Sequence, residues 1–124
     1  MLKFEKADSK DAEALTKVQI RAFSNDVKIC GGGPPGYDSV DKQISLMKNQ
    51  IYYKILDFGK IIGGFIVKSE GKGQYELYRL FIDPDYQGKG IGSRTLMYIE
   101  KELIDAVKIV LETPSFNIKN HAFY

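Results

Sequence analysis

The sequence is poor in the residues that cross-link small proteins or bind metals. It contains one cysteine, Cys30, one histidine, His121, and no tryptophan. A single cysteine excludes an internal disulfide framework and is typical of a reducing compartment. One cysteine and one histidine cannot supply a zinc site, and no carboxylates are paired at ligand spacing, so we expect no metal.

Long apolar runs are also missing. The longest uncharged apolar stretch is Ile61 to Val67, which is far shorter than a membrane span. The N-terminal stretch MLKFEKADSKDAEAL is charged throughout and lacks the apolar centre of a secretory signal. These absences predict a cytoplasmic protein with no membrane partner.

Neither sign of charge dominates the sequence. The 18 basic and 16 acidic residues are interspersed and leave a net charge of +2. Because nucleic-acid-binding proteins usually concentrate their basic residues in a stripe, nucleic acid is not an expected partner. A chain of 124 residues with 44% hydrophobic residues suits one modest core, so we expect a single domain over residues 1–124.

Hydrophobic periodicity and turn residues predict an α+β order of elements. The predicted elements are a strand over 2–6, a helix from Asp8 or Ser9 to about Phe23, a second helix from Asp38 or Ser39 with Val40, Ile44 and Met47 inward, strands over 51–56, 61–68 and 75–82, a helix over about 92–105 and a strand over 107–111. The three central strands follow one another through short turns and therefore form an antiparallel meander. The last strand follows a helix, which predicts a strand–helix–strand crossover.

The strongest functional signal is the loop between the last meander strand and the helix after it. Asp83-Pro84-Asp85 ends the strand, because proline cannot donate to the ladder, and residues 86–93 then read YQGKGIGS. Glycines allow a close backbone approach, and the free N–H groups of a first helical turn attract phosphate. Lys89 and Arg94 add positive charge. A turn with a purely geometric role fits the same residues, so the pattern alone leaves both interpretations open.

Two better-known phosphate motifs do not explain this loop. No stretch has the spacing of a P-loop. The dinucleotide pattern Gly-x-Gly-x-x-Gly occurs only at Gly31, Gly33 and Gly36, where no strand precedes it and Pro34-Pro35 interrupts the required helical turn. We interpret that match as accidental.

Residues 80–92, LFIDPDYQGKGIG, resemble the acetyl-CoA-binding segment of the GNAT family of N-acetyltransferases. The family pattern is Gln/Arg-x-x-Gly-x-Gly/Ala, which Gln87, Gly90 and Gly92 satisfy. Residues 117–124 are similar to the family's Asn-x-x-Ala-x-x-x-Tyr helix, although Asn120 replaces the alanine. The predicted order of elements agrees with the family along the whole chain.

The resemblance implies a GNAT-like acyl-CoA N-acyltransferase fold, with a mixed central sheet flanked by helices, and acetyl-CoA as the co-substrate. Pantetheine would pair with the backbone of Phe81 and Ile82 in a wedge between two strands, and the pyrophosphate would bind N–H groups of the glycine loop. The cofactor-binding residues that it implies are Leu80, Phe81, Ile82, Gln87, Gly88, Lys89, Gly90, Ile91, Gly92, Ser93 and Asn117.

The same resemblance implies direct acetyl transfer to an amine, with Tyr124 as the acid that protonates the departing thiolate. Glu76 is the candidate base, since strand alternation would place it on the same face as Tyr78, Leu80 and Ile82. A packing role for Tyr124 and a solvated position for Glu76 are the alternatives. We expect His121 to be an exposed helical residue rather than a catalytic one.

The expected acceptor is an amine of a small molecule or of a peptide or protein, and a homodimer is a further expected partner. The candidate acceptor-site residues are Phe23, Asp26, Tyr37, Asp38, Tyr52 and Tyr53. Asp26 or Asp38 would attract a cationic amine and the rings would stack on it. For any single one of these residues, packing or a solvent-facing position is the favoured alternative. A non-catalytic acyl-CoA-binding or regulatory domain and a nucleotide-phosphate binder are the competing functions.

The end of the sequence departs from the family pattern. Family members usually continue past this tyrosine with the rest of a helix and two strands, whereas the sequence stops at Tyr124. We therefore expect the C-terminal strands to be missing. Their absence would leave the apolar segment from Val107 to Leu111 at an uncovered sheet edge.

Overall fold

A computed structural model describes residues 2–24, 36–71, 74–103 and 109–111. Its elements, in chain order, are β1 (Leu2–Lys6), α1 (Ala12–Ala22), α2 (Val40–Asn49), β2 (Ile51–Asp57), β3 (Lys60–Gly71), β4 (Gln74–Ile82), α3 (Ile91–Tyr98) and β5 (Ile109–Leu111). Short 3-10 turns precede α1 and follow β4, and a π-helical turn, Ile99–Leu103, continues α3. This order confirms the α+β prediction.

The five strands form one sheet in the order β1-β2-β3-β4-β5. The first four pair antiparallel, and β5 pairs with β4 in parallel, as the predicted crossover requires. The β2–β3 hairpin turns on Phe58 and Gly59, whose φ angles are 49° and 81°. Two consecutive positive φ angles match the right-handed twist of the flanking strands, which explains the tight turn.

Side-chain caps begin the 3-10 turn before α1 and the helix α2. Asp8 accepts the Lys10 N–H at 2.9 Å, and Asp11 accepts the Asp8 N–H at 3.0 Å, so the two form a capping box ahead of α1. Ser39 accepts the Lys42 N–H at 3.2 Å and caps α2. Of the predicted alternatives, Asp8 caps the 3-10 turn that leads into α1 and Ser39 caps α2, whereas Asp11, the N-cap residue of α1 itself, makes no capping bond with its side chain.

The sheet has two buried faces. The face covered by α3, called here the α3 face, includes the buried residues Ile55, Phe65, Val67, Leu77, Leu80, Ile82, Ile91, Leu96 and Ile99. The opposite face, called here the α1 face, includes Leu15, Val18, Phe23, Leu46, Tyr52, Ile66 and Phe81. The two central strands β3 and β4 thus contribute to both cores.

The buried side of α2 differs from the prediction. Val40 is exposed, whereas Gln43 is fully buried beside Leu46. Hydrophobic periodicity could not predict a buried glutamine, because its burial depends on hydrogen bonds supplied by other elements.

Two features are absent from the described ranges. No helix among them has the length and apolar character needed to cross a bilayer. No three histidine, cysteine, aspartate or glutamate side chains in those ranges come together as metal ligands. The predicted C-terminal helix, with Asn117 and Tyr124, lies outside the described residues, and so does Asp26.

Candidate active site

The glycine loop after β4 has an open, left-handed backbone. Gly88 and Gly90 have φ angles of 79° and 78°. A Cβ atom added at either position would meet no atom of the described residues within 4 Å. Glycine is therefore required here by backbone conformation, and the space beside each residue is free for a ligand.

The start of α3 offers hydrogen-bond donors to that space. Gly90 is the N-cap residue, and the Arg94 N–H donates to the Gly90 carbonyl oxygen at 3.1 Å as the helix begins. The N–H groups of the first turn come before this first intrahelical hydrogen bond and therefore have no acceptor within the helix. No side chain forms a capping hydrogen bond at Gly90 within the described part of the chain. These donors suit an anion.

Cationic side chains surround the same loop. The Nζ atoms of Lys60 and Lys89 lie 5.7 and 5.5 Å from the centroid of the Tyr86 ring. Both distances are within cation–π range. Lys89 and Arg94 are exposed, and the first turn of α3 contains no acidic residue. The local charge therefore favours an anionic ligand.

An ion-pair clamp fixes the end of β4, where the loop begins. Arg21 of α1 donates from Nε and Nη2 to the two Asp83 carboxylate oxygens, both at 3.2 Å, and from Nη2 to Asp85 at 3.0 Å. The Asp83 N–H donates to the Ile62 carbonyl oxygen at 2.7 Å. Burial alone would raise the pKa of Asp83, but hydrogen bonds from Arg21 and the Asp85 N–H, with the nearby charge of Lys60, lower it below its usual value.

The sequence predicted the strand stop at Asp83 but not this clamp. Arg21 and Asp83 are 62 positions apart. No local pattern links an arginine at a helix end to that carboxylate.

The side chain of Gln87 stabilises the start of the loop. Its Nε2 atom donates to the Ile82 carbonyl oxygen at 3.0 Å, so the side chain folds back on the end of β4. Of the other predicted loop residues, Ile91 and Gly92 are buried, Ser93 is half-buried, and Gly88, Lys89 and Gly90 are exposed. The exposed glycines, with the backbone around them, form the accessible part of the loop.

The edge of β4 beyond β5 is open in the described part of the chain. β5 pairs only with residues Tyr75 to Leu77. Because the Asp83 N–H faces β3, strand alternation turns the backbone groups of Phe81 toward β3 and those of Leu80 and Ile82 toward the open edge. The expectation that Phe81 presents its backbone to a ligand is therefore wrong, and Leu80 takes that position.

A β-bulge in β4 changes the predicted face of Glu76. Ile66 pairs with Arg79 and Val67 pairs with Leu77, so Tyr78 is the extra residue of the bulge. Leu80 and Ile82 consequently pack on the α3 face with Leu77, whereas Tyr78 packs on the α1 face.

Glu76 precedes Leu77, so alternation places it on the α1 face, with Tyr78 and away from Leu80 and Ile82. The predicted grouping of Glu76 with Tyr78 is confirmed. Its grouping with Leu80 and Ile82 is wrong, because strict alternation takes no account of a bulge.

Two of the candidate acceptor residues do not face a cleft. Tyr52 is 1% exposed and fully hydrogen-bonded inside the α1 face. Tyr53 packs on the opposite face, with its ring centroid 5.3 Å from that of Phe65. The expectation that Tyr52 stacks on an acceptor is therefore wrong, whereas Tyr53 is half-buried and its packing on Phe65 agrees with the alternative of a packing role.

The other described candidates lie at the end of α1 and ahead of α2. Phe23 is buried, and its ring packs edge-to-face on the half-buried Tyr37 at 6.1 Å between centroids. Asp38 is exposed. Tyr37 and Asp38, together with the half-buried Tyr53 on the opposite face, are thus the described candidates that solvent reaches.

Solved structures resemble this arrangement of elements. The PaiA N-acetyltransferase of Thermoplasma acidophilum, solved in complex with coenzyme A, matches with a TM-score of 0.80 and 20% identity over 100% of this chain and 86% of that one. An acetyltransferase of Thermus thermophilus matches with a TM-score of 0.77 and 20% identity over 98% of this chain and 84% of that one. Identities this low show a shared fold.

Sequence comparisons give the family. The uncharacterized protein YrkN of Bacillus subtilis (strain 168) is 30% identical over 113 residues, which is 90% of this chain and 59% of that protein. The chain therefore spans less than two thirds of the length of the curated relative that it matches. The family model described as acetyltransferase (GNAT) family matches residues 18–124. The chain belongs to the GNAT acetyltransferase family.

Proposed function

We propose that the chain is an N-acetyltransferase that moves an acetyl group from acetyl-CoA directly to an amine. The observation that carries the proposal is the backbone cradle at Gly88 and Gly90, which opens at the start of α3 with cations beside it. A diphosphate suits such donors and such charge. The PaiA structure, which shares the fold, was solved with coenzyme A.

The edge of β4 that the described residues leave unpaired beyond β5 supports the same ligand. From Tyr78 to Ile82 the strand runs for about 13 Å, at roughly 3.3 Å per residue. This length suits an extended arm with amide groups, such as pantetheine. In our proposal Leu80 and Ile82 pair with the arm, the N–H groups of residues 88–93 bind the pyrophosphate, and Asn117 adds a hydrogen bond.

Two side chains would move the protons of the reaction. The amine nitrogen forms a bond to the thioester carbonyl carbon, and the carbon–sulfur bond breaks. Glu76, half-buried at the bulge of β4, accepts the proton that the amine loses. Tyr124 gives its proton to the departing thiolate. The acceptor is an amine of a small molecule or of a peptide.

Ligand binding and transfer are tested separately. Thermal unfolding should show that CoA and acetyl-CoA stabilise the protein more than ATP or NAD do. Thiol release from acetyl-CoA should then be measured with a panel containing a polyamine, an amino acid, an aminoglycoside and a short peptide.

The outcomes discriminate between the functions. Amine-dependent thiol release that falls in Glu76→Gln, with CoA affinity unchanged, supports transfer with Glu76 as base. Stabilisation by CoA without transfer to any amine would favour a non-catalytic acyl-CoA-binding domain. Stronger stabilisation by ATP or NAD would contradict the assigned ligand.

A further inference from the structure

Four buried polar side chains form one hydrogen-bonded chain through the core of the α1 face. Arg79 Nη1 donates to Gln19 Oε1 at 2.9 Å, and Gln19 Nε2 donates to the Tyr52 hydroxyl at 3.2 Å. The Tyr52 hydroxyl donates to Gln43 Oε1 at 2.6 Å, and Gln43 Nε2 donates to the Gly36 carbonyl oxygen at 2.8 Å. The exposed fractions of the four side chains are 5% for Arg79, 1% for Tyr52 and 0% for both glutamines.

Every bond in this chain runs in the same direction. A guanidinium only donates and a carbonyl oxygen only accepts, so Arg79 and Gly36 fix the orientation of both glutamine amides. Burial raises the pKa of Tyr52 well above its usual value, which keeps its hydroxyl protonated as the donor to Gln43. Bonds aligned in this way polarise one another, so interrupting one should weaken the rest.

This hydrogen-bonded chain joins β4, near the candidate base Glu76, to the backbone ahead of α2, next to the candidate acceptor residues Tyr37 and Asp38. At one end, Arg79 follows the bulge, and its guanidinium carbon lies 5.0 Å from the centroid of the Tyr78 ring. Lys68 Nζ lies 3.7 Å from the same ring centroid, and Lys68 pairs in register with Glu76. At the other end, Gly36 also accepts the Ser39 N–H at 3.1 Å, immediately ahead of α2.

We propose that Gln19, Tyr52, Gln43 and Arg79 are positioning residues that hold the β4 bulge and the backbone ahead of α2 in one fixed arrangement for the acceptor amine. They are too deeply buried to touch that amine themselves. A purely apolar core would be easier to build here, whereas a satisfied polar chain fixes a specific geometry. The inference rests on the proposed acetyl transfer, because it concerns the acceptor side of that site.

The test removes only the middle of the chain. Tyr52→Phe deletes the hydroxyl that links the two glutamines. Thr16→Val is the matched control, since Thr16 is also a buried hydroxyl of the α1 region but donates to the Ala12 carbonyl oxygen at 2.7 Å, outside the chain. Gln43→Leu removes the last two hydrogen bonds of the chain and serves as the second variant if Tyr52→Phe does not fold.

Three readouts separate positioning from general destabilisation. Tyr52→Phe removes two hydrogen bonds of the chain, and amide hydrogen exchange at Ser39 should accelerate about tenfold, the factor expected if the Gly36 end is weakened by the net contribution of one buried hydrogen bond. The Kd for CoA, measured by calorimetry, should stay within about twofold of that of the wild type, because the hydrogen-bonded chain does not reach the glycine loop. With the best amine of the panel, the acceptor KM should rise about tenfold and the acetyl-CoA KM should not.

Each alternative result overturns the inference. Unchanged hydrogen exchange at Ser39 and an unchanged acceptor KM would show that the hydrogen-bonded chain does not position the β4 bulge or the backbone ahead of α2. Equal effects in Thr16→Val, or equal rises in both KM values, would show ordinary destabilisation. Additive effects in the double variant Tyr52→Phe with Gln43→Leu would show that the bonds do not act as one unit. If the wild type acetylates no amine, the proposed function fails, while the exchange readout still tests the link to Gly36.

Discussion

Two glycines with nearly the same backbone angle allow the ligand role of the loop to be separated from its backbone strain. Gly90 has a φ of 78° and Gly59, at the tip of the β2–β3 hairpin, has a φ of 81°. Among the residues that the structure describes, a Cβ atom would meet nothing within 4 Å at either position. Replacement by alanine therefore imposes the same conformational penalty at both sites, without a clash at either.

The expected magnitudes follow from that equivalence. A left-handed backbone costs an L-residue roughly 1–2 kcal/mol, so Gly90→Ala and Gly59→Ala should each lose about that much free energy of unfolding. In a domain of this size, each kcal/mol corresponds to a fall in Tm of about 4 °C. The two variants should therefore unfold at similar temperatures, both below that of the wild type.

Their affinities for CoA should differ. The Cβ atom of Gly90→Ala would occupy space that a pyrophosphate must approach, so its Kd for CoA should rise at least about tenfold, which is ~1.4 kcal/mol. Gly59→Ala should bind within about twofold of the wild type. Isothermal titration calorimetry with CoA measures both constants, and Gly90→Val should be weaker still.

Two results would refute this reasoning. If both alanine variants lose affinity equally, the loss reflects destabilisation rather than contact with the ligand. If Gly90→Ala folds and binds CoA as tightly as the wild type, the pyrophosphate does not lie against this loop.

Three further predictions concern the core, the clamp and the predicted acid. Gly63→Ala should destabilise the protein by about 1–3 kcal/mol in denaturant unfolding, because the new Cβ would overlap the Phe81 carbonyl oxygen; an unchanged midpoint would contradict that close approach. The pKa of Asp83 is lower in the folded state than its value of about 3.9 in the unfolded chain, so its carboxylate stabilises the fold above that pH and the stabilisation is lost as the pH falls through the folded-state pKa. Asp83→Asn should therefore make the fall of Tm below about pH 5 less steep. A fall as steep as that of the wild type would assign the acid sensitivity to other carboxylates. Tyr124→Phe should lower kcat with little change in acetyl-CoA affinity, and full turnover would leave Tyr124 with a packing role.

The sequence by itself determined the local features of this protein. Asp8 and Ser39 cap helices because their short side chains reach the N–H groups of the next turn. Asp83-Pro84 ends β4 because proline cannot donate to the ladder. Gly88 and Gly90 mark a left-handed loop because other residues avoid those angles. Each property depends on neighbours within a few positions, so it can be predicted from the order of residues alone.

The tertiary structure decided what those local rules could not reach. The bulge at Tyr78 separates Glu76 from Leu80 and Ile82, because one extra residue reverses the alternation that the sequence predicts. The tertiary structure also decides the pairing of Arg21 with Asp83, because that pairing depends on where α1 crosses the end of β4. The roles of Asn117 and Tyr124 stay predictions from the resemblance.

The hydrogen-bonded chain in the α1 face shows the same limit most clearly. Gln19, Tyr52, Gln43 and Arg79 come from α1, β2, α2 and β4, and none is close to another in a local motif. A sequence pattern assigns glutamine and arginine to the surface, because burying them costs free energy unless every polar group finds a partner. Only the packing of the two helices on the sheet supplies those partners, so only the folded chain could place these residues in the core.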